Sequence, residues 1–264
     1  MGFRLWLTAL SAGVWLHSGC SSKSQPAPSG EPGLTQPSDS PAEPKTTSPY
    51  PRQRERTAMV DAQLAGRDLT DPIVLAAMKR VPRHRFVPEP IAHRAYEDNP
   101  LPIGKRQTIS QPYIVGLMTE LVKPRQGHKV LDVGTGSGYQ AAVLAEIVDQ
   151  VYGVEIVCDL ADAASRRLTD LGYTNATIRC GDGYAGWKEH APFDAIVVAA
   201  APKQVPPPLL EQLKPGGKLV IPVGDRQQEL RLYRKESDGT VSMKHVTPVR
   251  FVPFVRKAGD KEPR

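Results

Sequence analysis

Cysteine and histidine are scarce in this sequence: three cysteines (Cys20, Cys158 and Cys180) and six histidines stand among 264 residues. No two cysteines have CxxC spacing, so a zinc module and a disulfide-stapled mini-domain are both excluded. No apolar run reaches the roughly 18 residues that a membrane-spanning helix needs. There is no internal repeat. Charge of one sign is also nearly balanced, with Lys+Arg 34 against Asp+Glu 28 leaving +6. That mild excess suits an anionic partner without demanding nucleic acid. At 40% hydrophobic and 23% charged residues the chain lies far from the disordered corner.

Glycine and proline are plentiful instead, 22 and 26 residues, and the prolines are unevenly spread. Residues 1–20 read as a targeting segment. Arg4 is a minimal positive n-region, Leu5 to Leu16 is an uncharged stretch too short to span a bilayer, and Ser18-Gly19 precede Cys20. A small residue before cysteine resembles the bacterial lipoprotein signal, in which the cysteine is lipidated. His17 departs from it, standing where that signal has an aliphatic residue. A plain cleaved signal is the alternative. Residues 21–51 hold eight prolines and seven serines and no aliphatic side chain larger than alanine beyond Leu34. They cannot bury enough apolar surface to offset their ordering entropy, so a disordered spacer is expected.

From Arg52 to Arg256 the composition is that of one folded domain, with 257–264 as a tail. Val74, Ala77, Met78 and Val81 repeat at helical spacing, with Thr70 or Asp71 as N-cap and Pro72 at the first helical position. Ile114, Leu117, Met118 and Leu121 repeat the pattern after Pro112. Short β-branched runs then alternate with helical stretches: Lys129–Val133, Gln150–Val154, Ala176–Cys180, Ala195–Val198 and Lys218–Val223. Apolar strands separated by helices predict an α/β fold whose doubly wound, mostly parallel sheet is covered on both faces. Glu229–Lys235 and Met243–Phe251 follow without a long helix between them, predicting an antiparallel edge.

The stretch Val130-Leu131-Asp132-Val133-Gly134-Thr135-Gly136-Ser137-Gly138-Tyr139 reads as a strand, a glycine turn and a helix start. A dinucleotide fingerprint wants its third glycine at position 139, which is Tyr. The G-x-G-x-G spacing, with Asp132 two residues before it, resembles the first motif of S-adenosylmethionine-dependent methyltransferases, a Rossmann-like class. Glu155 ends the next strand, where a carboxylate can accept both ribose hydroxyls. Asp182, in Gly181-Asp182-Gly183, ends the one after and can face an adenine amino group. A glycine turn alone has an ordinary tight turn as its even alternative. Acids at successive strand ends favour a cofactor site. The fourth strand runs into Ala199-Ala200-Ala201-Pro202 and lacks the Asn/Asp-Pro-Pro-aromatic stretch of base-amine methylation. An acceptor such as a carboxylate fits better.

From Arg52 to Val255 the chain is similar to the protein-L-isoaspartate (D-aspartate) O-methyltransferase family. The resemblance is carried by Val81-Pro82-Arg83-His84-Arg85-Phe86-Val87-Pro88, Leu101-Pro102-Ile103-Gly104, Gln107-Thr108-Ile109-Ser110-Gln111-Pro112-Tyr113, the glycine turn running on to Ala142, and Leu209 to Gly217. Two departures stand out: Arg106 replaces a glycine before Gln107, and Ile156-Val157-Cys158 replaces Arg-x-Pro after the strand-end acid. The resemblance implies repair of aged protein: the free carboxyl of an L-isoaspartyl or D-aspartyl residue is methylated, and the ester recloses to a succinimide that reopens in part as aspartate. The nucleophile is already ionised at neutral pH, so no general base is required. It also implies that Ser110 orients the acceptor carboxylate and that Thr108 and Ile109 lie against S-adenosyl-L-methionine. Gly134, Thr135, Gly136, Ser137, Gly138 and Gly183 then join Asp132, Glu155 and Asp182 as cofactor residues, with no metal. The bland role for Ser110 is N-cap of the helix at Pro112. His84 is a weaker candidate for a role in the site, and Arg83 with Arg85 can add positive potential or simply form a wet face.

Two alternatives stand beside that reading. One is a nucleic-acid methyltransferase, prompted by the net charge; the other is a non-enzymatic envelope lipoprotein that keeps the fold as a binding module. The second draws on the cytoplasmic origin of S-adenosylmethionine, which an exported enzyme must be supplied with. Localisation is therefore expected in the periplasm or envelope, with a membrane tether at a lipidated Cys20, against the cytoplasmic home usual for the family. The implied fold makes the strand before Cys158 and the strand ending at Cys180 neighbours. Two buried free thiols are expected there, with a disulfide as the alternative.

Overall fold

The structure, a computed structural model, describes residues 51–256. The signal-like segment, Cys20, residues 21–50 of the spacer and the 257–264 tail lie outside the described residues. The chain enters through α1 (Gln53–Met59), which continues as a π-helical turn, Val60–Ala65. In α2 (Pro72–Arg80) Asp71 is the N-cap, its carboxylate accepting from the Ile73 N–H at 3.0 Å, with Pro72 at the first helical position as expected. A hairpin of β1 (Leu101–Gly104) and β2 (Gln107–Ile109) then leads into α3 (Pro112–Val122).

The β-branched runs become β3 (Lys129–Val133), β4 (Gln150–Glu155), β5 (Ala176–Cys180), β6 (Phe193–Val198) and β7 (Leu213–Gly224). Between them lie α4 (Tyr139–Ala145), α5 (Cys158–Asp170) and α6 (Pro207–Glu211). β8 (Gln228–Lys235) and β9 (Val241–Val249) complete a seven-stranded sheet in the order β5-β4-β3-β6-β7-β8-β9. Pairing is parallel from β5 to β7 and antiparallel beyond, the mostly parallel sheet with an antiparallel edge that the sequence predicts.

Both faces of the sheet are covered, which explains the continuous apolar strands. Val130, Ala195, Val197 and Val220 pack with Met118, Val143 and Leu168 on one face. Their neighbours Leu131, Val133, Ile196, Val198 and Leu219 pack with Trp187 and Leu209 on the other. Each buried valine, leucine, isoleucine or methionine among them contributes about 1.5–3 kcal/mol relative to exposure. The order reverses at β3, with β4 on one side and β6 on the other, and ligands bind at such switch points outside the carboxyl ends of the strands.

Two expectations are corrected. The buried face of α3 holds Val115, Met118, Thr119 and Val122, while Ile114, Leu117 and Leu121 are partly buried. The helix is apolar on more than one side, so periodicity alone does not choose its face. Cys158 and Cys180 are exposed and joined by a disulfide, with Cα atoms 4.8 Å apart, rather than being two buried thiols. Parallel pairing sets Glu155 opposite Cys180, so the residue that opens α5 folds back beside the end of β5.

Candidate active site

The turn between β3 and α4 is built on backbone that side chains resist. Gly134, Gly136 and Gly138 have φ of +79°, +54° and +91°. At Gly136 a Cβ would also come within 3.2 Å of the Ile103 Cδ1, so glycine is required twice over. The Gly134 N–H donates to the Val154 carbonyl at 2.8 Å, tying the turn to the end of β4. Glu155, only 5% exposed, fixes it further: Oε2 accepts from the Gly136 N–H at 2.8 Å and Oε1 from the Val157 N–H at 2.9 Å. Each oxygen keeps a further lone pair for a ligand hydroxyl.

A cleft of about 850 Å³ opens over this turn. Thr108, Ile109, Ser110, Gly134, Thr135, Gly136, Ser137, Glu155 and Gly183 all line it, so the structure brings together nine of the residues singled out in the sequence. Asp132 and Asp182 do not line it, nor does Gly138, whose place is at the start of α4. Asp132 is fully buried, and neither carboxylate oxygen has a hydrogen-bond partner. Burial pushes its pKa up to about 7; the Thr135 hydroxyl opposes this and the Glu155 charge adds to it. Asp182 caps the turn at Gly183–Ala185, accepting from the Tyr184 N–H at 2.9 Å, and pairs with Arg256 at 3.3 Å.

Ser110 is not the cap of α3. That N-cap is Gln111, and the Tyr113 N–H donates to Asp98 at 3.1 Å instead. No hydrogen bond of the Ser110 hydroxyl is present among the described residues. Its carbonyl is held by Arg83, so the wet-face reading fails for this arginine, which is completely buried. Burial lowers the Arg83 pKa to about 10, leaving it charged at neutral pH. His84 does not line the cleft; its Nδ1 meets the Tyr96 hydroxyl at 2.7 Å. Burial, with Arg52, Arg56 and Arg85 nearby, lowers its pKa to about 4, so it is neutral at pH 7.

Ser110 also stands on the wall of a second, larger cavity of about 1580 Å³. Thr108, Ala199 and Val252 share that wall, and Arg67, Tyr113 and Arg250 line the cavity further out. The chain after β9 supplies cleft residues that the sequence reading missed: Val252, Pro253, Phe254 and Val255. This segment is pinned by backbone bonds of 2.9 Å from Ala201 N–H to the Val252 carbonyl and from Phe254 N–H to the Ala201 carbonyl. Among the described residues, no cluster of side chains can hold a metal ion and no helix is long and apolar enough to cross a membrane.

The glycine cradle and the free acceptor capacity of Glu155 suit a nucleoside-bearing cofactor. Known proteins agree. The profile of the protein-L-isoaspartate(D-aspartate) O-methyltransferase family matches residues 54–259. A protein-L-isoaspartate O-methyltransferase of Opitutus terrae is 56% identical over 208 residues, covering 78% of this chain and 89% of that protein. One of Gloeobacter violaceus is 54% identical over 200 residues, covering 75% of this chain and 98% of that protein. Among solved structures, a protein-L-isoaspartate O-methyltransferase matches with TM-score 0.69 and 28% identity, over 78% of this chain and 67% of that one. Another, from Plasmodium falciparum in complex with S-adenosyl-L-homocysteine, matches with TM-score 0.67 and 27% identity, over 76% and 98%. The chain therefore belongs to the protein-L-isoaspartate (D-aspartate) O-methyltransferase family.

Proposed function

We infer that this chain is a protein-repair enzyme that moves a methyl group from S-adenosyl-L-methionine to the free carboxyl of isoaspartyl residues in damaged proteins, D-aspartyl residues included. The observation that carries the site assignment is the position of Ser110, on the wall shared by the cofactor cleft and the larger cavity. When bound, S-adenosylmethionine supplies an electrophilic methyl group.

The residues of the chain do the rest. Glu155 accepts the ribose hydroxyls, the glycine turn lets the cofactor approach the backbone, and Thr108 and Ile109 hold it from the hairpin side. Beneath the turn, the backbone carbonyl of Asp132 accepts from the Thr135 hydroxyl at 3.2 Å. Ser110 donates its hydroxyl to the incoming carboxylate and aims one oxygen at the cleft. The substrate segment enters through the larger cavity. Since the acceptor is already ionised, the rate rests on alignment and on excluding water. Incubating an isoaspartyl peptide with the chain and S-adenosylmethionine, then separating products chromatographically, tests this. Succinimide and aspartyl peptide are expected to accumulate; an unchanged isoaspartyl peptide would overturn the reading.

The N-terminal residues support an exported protein tethered at Cys20, with 21–51 as spacer. The order of the hydrophobic Leu5–Leu16, the Ser18-Gly19-Cys20 junction and the proline-rich stretch carries this reading. Cell fractionation tests it: detergent-released membrane protein is expected, and soluble cytosolic protein retaining residues 1–20 would contradict it.

A further inference from the structure

The Cys158–Cys180 disulfide stands beside the cofactor cleft rather than in a remote part of the fold. Cys158 opens α5 directly after Glu155, Ile156 and Val157, the first two of which line the cleft. Cys180 ends β5, just before Gly181, Asp182 and the cleft residue Gly183. The Gly181 N–H donates to the Glu155 carbonyl at 2.9 Å. Beyond that bond β4 runs into α5 and β5 runs into a short turn, and the disulfide ties the two exits together.

The same turn of α5 also meets the hairpin through an exposed ion pair. Lys105, between β1 and β2, pairs with Asp159 at 2.5 Å, and the hairpin brings Thr108, Ile109 and Ser110 to the cleft. The N-cap of α5, Val157, makes no side-chain cap hydrogen bond; its own N–H is held by Glu155 Oε1 at 2.9 Å, so the start of the helix and the cleft carboxylate are coupled. Cys158 occupies the first helical position, where proline would preset the entry angle and where the family resemblance has one. The covalent bond instead fixes where Cys158 lies relative to Cys180, with their Cα atoms 4.8 Å apart.

We propose that Cys158 and Cys180 are positioning residues of the cofactor site, and that reducing their bridge loosens the binding of S-adenosylmethionine. The proposal rests on the reading of the cleft as the cofactor site. Reduction breaks the S–S bond and makes two thiols; two electrons and two protons come from a dithiol, which closes into its own disulfide. Both cysteines are exposed, so a small reductant reaches them. Without the bridge, residues 156–158 and 181–182 must be ordered again when cofactor binds. Re-ordering a few such groups weakens affinity by about three- to tenfold. The outer wall of the larger cavity, with Arg67, Tyr113 and Arg250, lies on other segments, so peptide binding is spared.

The test uses the full chain purified without reductant. Peptide mapping reports the link, and calorimetry reports S-adenosylhomocysteine binding, which needs no turnover. Oxidised wild type, dithiothreitol-treated wild type and the Cys158→Ser/Cys180→Ser double variant are compared. Linked peptides are expected in the untreated protein, with affinity reduced about three- to tenfold in both bridge-free forms and the double variant indifferent to dithiothreitol. In steady-state assays the KM for S-adenosylmethionine rises on reduction while the KM for an isoaspartyl peptide stays. A double variant that fails to fold leaves the reduced wild type, checked by circular dichroism, to decide. Unlinked cysteines, or equal affinity in oxidised and reduced protein, would overturn the proposal alone. No binding in any form would overturn the cofactor reading beneath it as well.

Discussion

The buried guanidinium of Arg83 donates a hydrogen bond of 2.7 Å to the backbone carbonyl of Ser110. A second, of 2.8 Å, goes to the carbonyl of Ala95, and the guanidinium lies 4.8 Å from the centre of the Tyr139 ring. Tyr139 begins the helix after the glycine turn, so one cation ties the acceptor side of the site to the cofactor side. Arg83→Lys keeps the charge but lacks the planar fork. Leaving two carbonyls poorly paired is expected to cost about 2–4 kcal/mol of stability. Urea unfolding measures that cost, and assays well below the melting temperature should show lower turnover from a displaced Ser110.

The two halves of the site are separable. Gly136→Val places a β-branched side chain at φ +54° and against Ile103, and is expected to abolish cofactor binding. Ser110→Ala leaves the cofactor cradle intact and removes one hydrogen bond to a charged acceptor, so turnover falls about ten- to a hundredfold. Calorimetry with S-adenosylhomocysteine and initial rates distinguish the pair. Full turnover in Ser110→Ala would leave that hydroxyl without a part in the reaction.

Asp132 makes stability depend on pH in an unusual direction. Its folded pKa of about 7 lies above the ordinary 3.8, so the folded protein binds the proton more tightly than the unfolded chain. Its contribution to stability is therefore greatest below pH 4, declines as pH rises through 7, and is flat above. The interval corresponds to roughly 4 kcal/mol at pH 8. His84 acts oppositely, since its folded pKa of about 4 lies below the ordinary 6.5 and stability is lost as pH falls through that range. Comparing cofactor-free Asp132→Asn with wild type cancels the histidine. The variant should melt higher at pH 8, with the gap closing towards pH 4; a gap constant with pH would mean the carboxylate is not raised.

Arg106 pays a backbone cost that the family's glycine avoids. Its φ is +60°, in a turn where Gly104 and Lys105 are also left-handed, at +88° and +50°. Arg106→Gly relieves about 1–2 kcal/mol of strain and loses about 0.5–1 to unfolded-chain entropy. A net gain of about 0.5–1 kcal/mol in urea unfolding is expected, with cofactor affinity unchanged.

The parallel sheet was legible because its strands read as short runs rich in β-branched and apolar residues: the buried Lys129–Val133 matches residue for residue, as does the less buried edge strand Ala176–Cys180. Asp71 and Pro72 announced α2 in the same local way. The glycine turn and Glu155 were legible because their chemistry depends on neighbours in sequence. The hairpin was not, since its strands are four and three residues long and its turn uses Lys105 and Arg106 rather than Asn-Gly. Nor was the Val252–Val255 wall, which reaches the cleft through pairing with Ala201. Asp132 looked like a ligand residue by position, but strand alternation and the packed sheet bury it.

The most direct measurement is transfer of a labelled methyl group from S-adenosylmethionine to two peptides that differ only in one linkage, isoaspartyl against aspartyl. The free carboxyl that Ser110 is assigned to hold exists in the first; in the second the α-carboxyl is tied into the backbone amide. Base-labile label on the isoaspartyl peptide and almost none on its aspartyl twin is the predicted result. Equal labelling of the two, or labelling of neither by protein that binds S-adenosylhomocysteine, would contradict it.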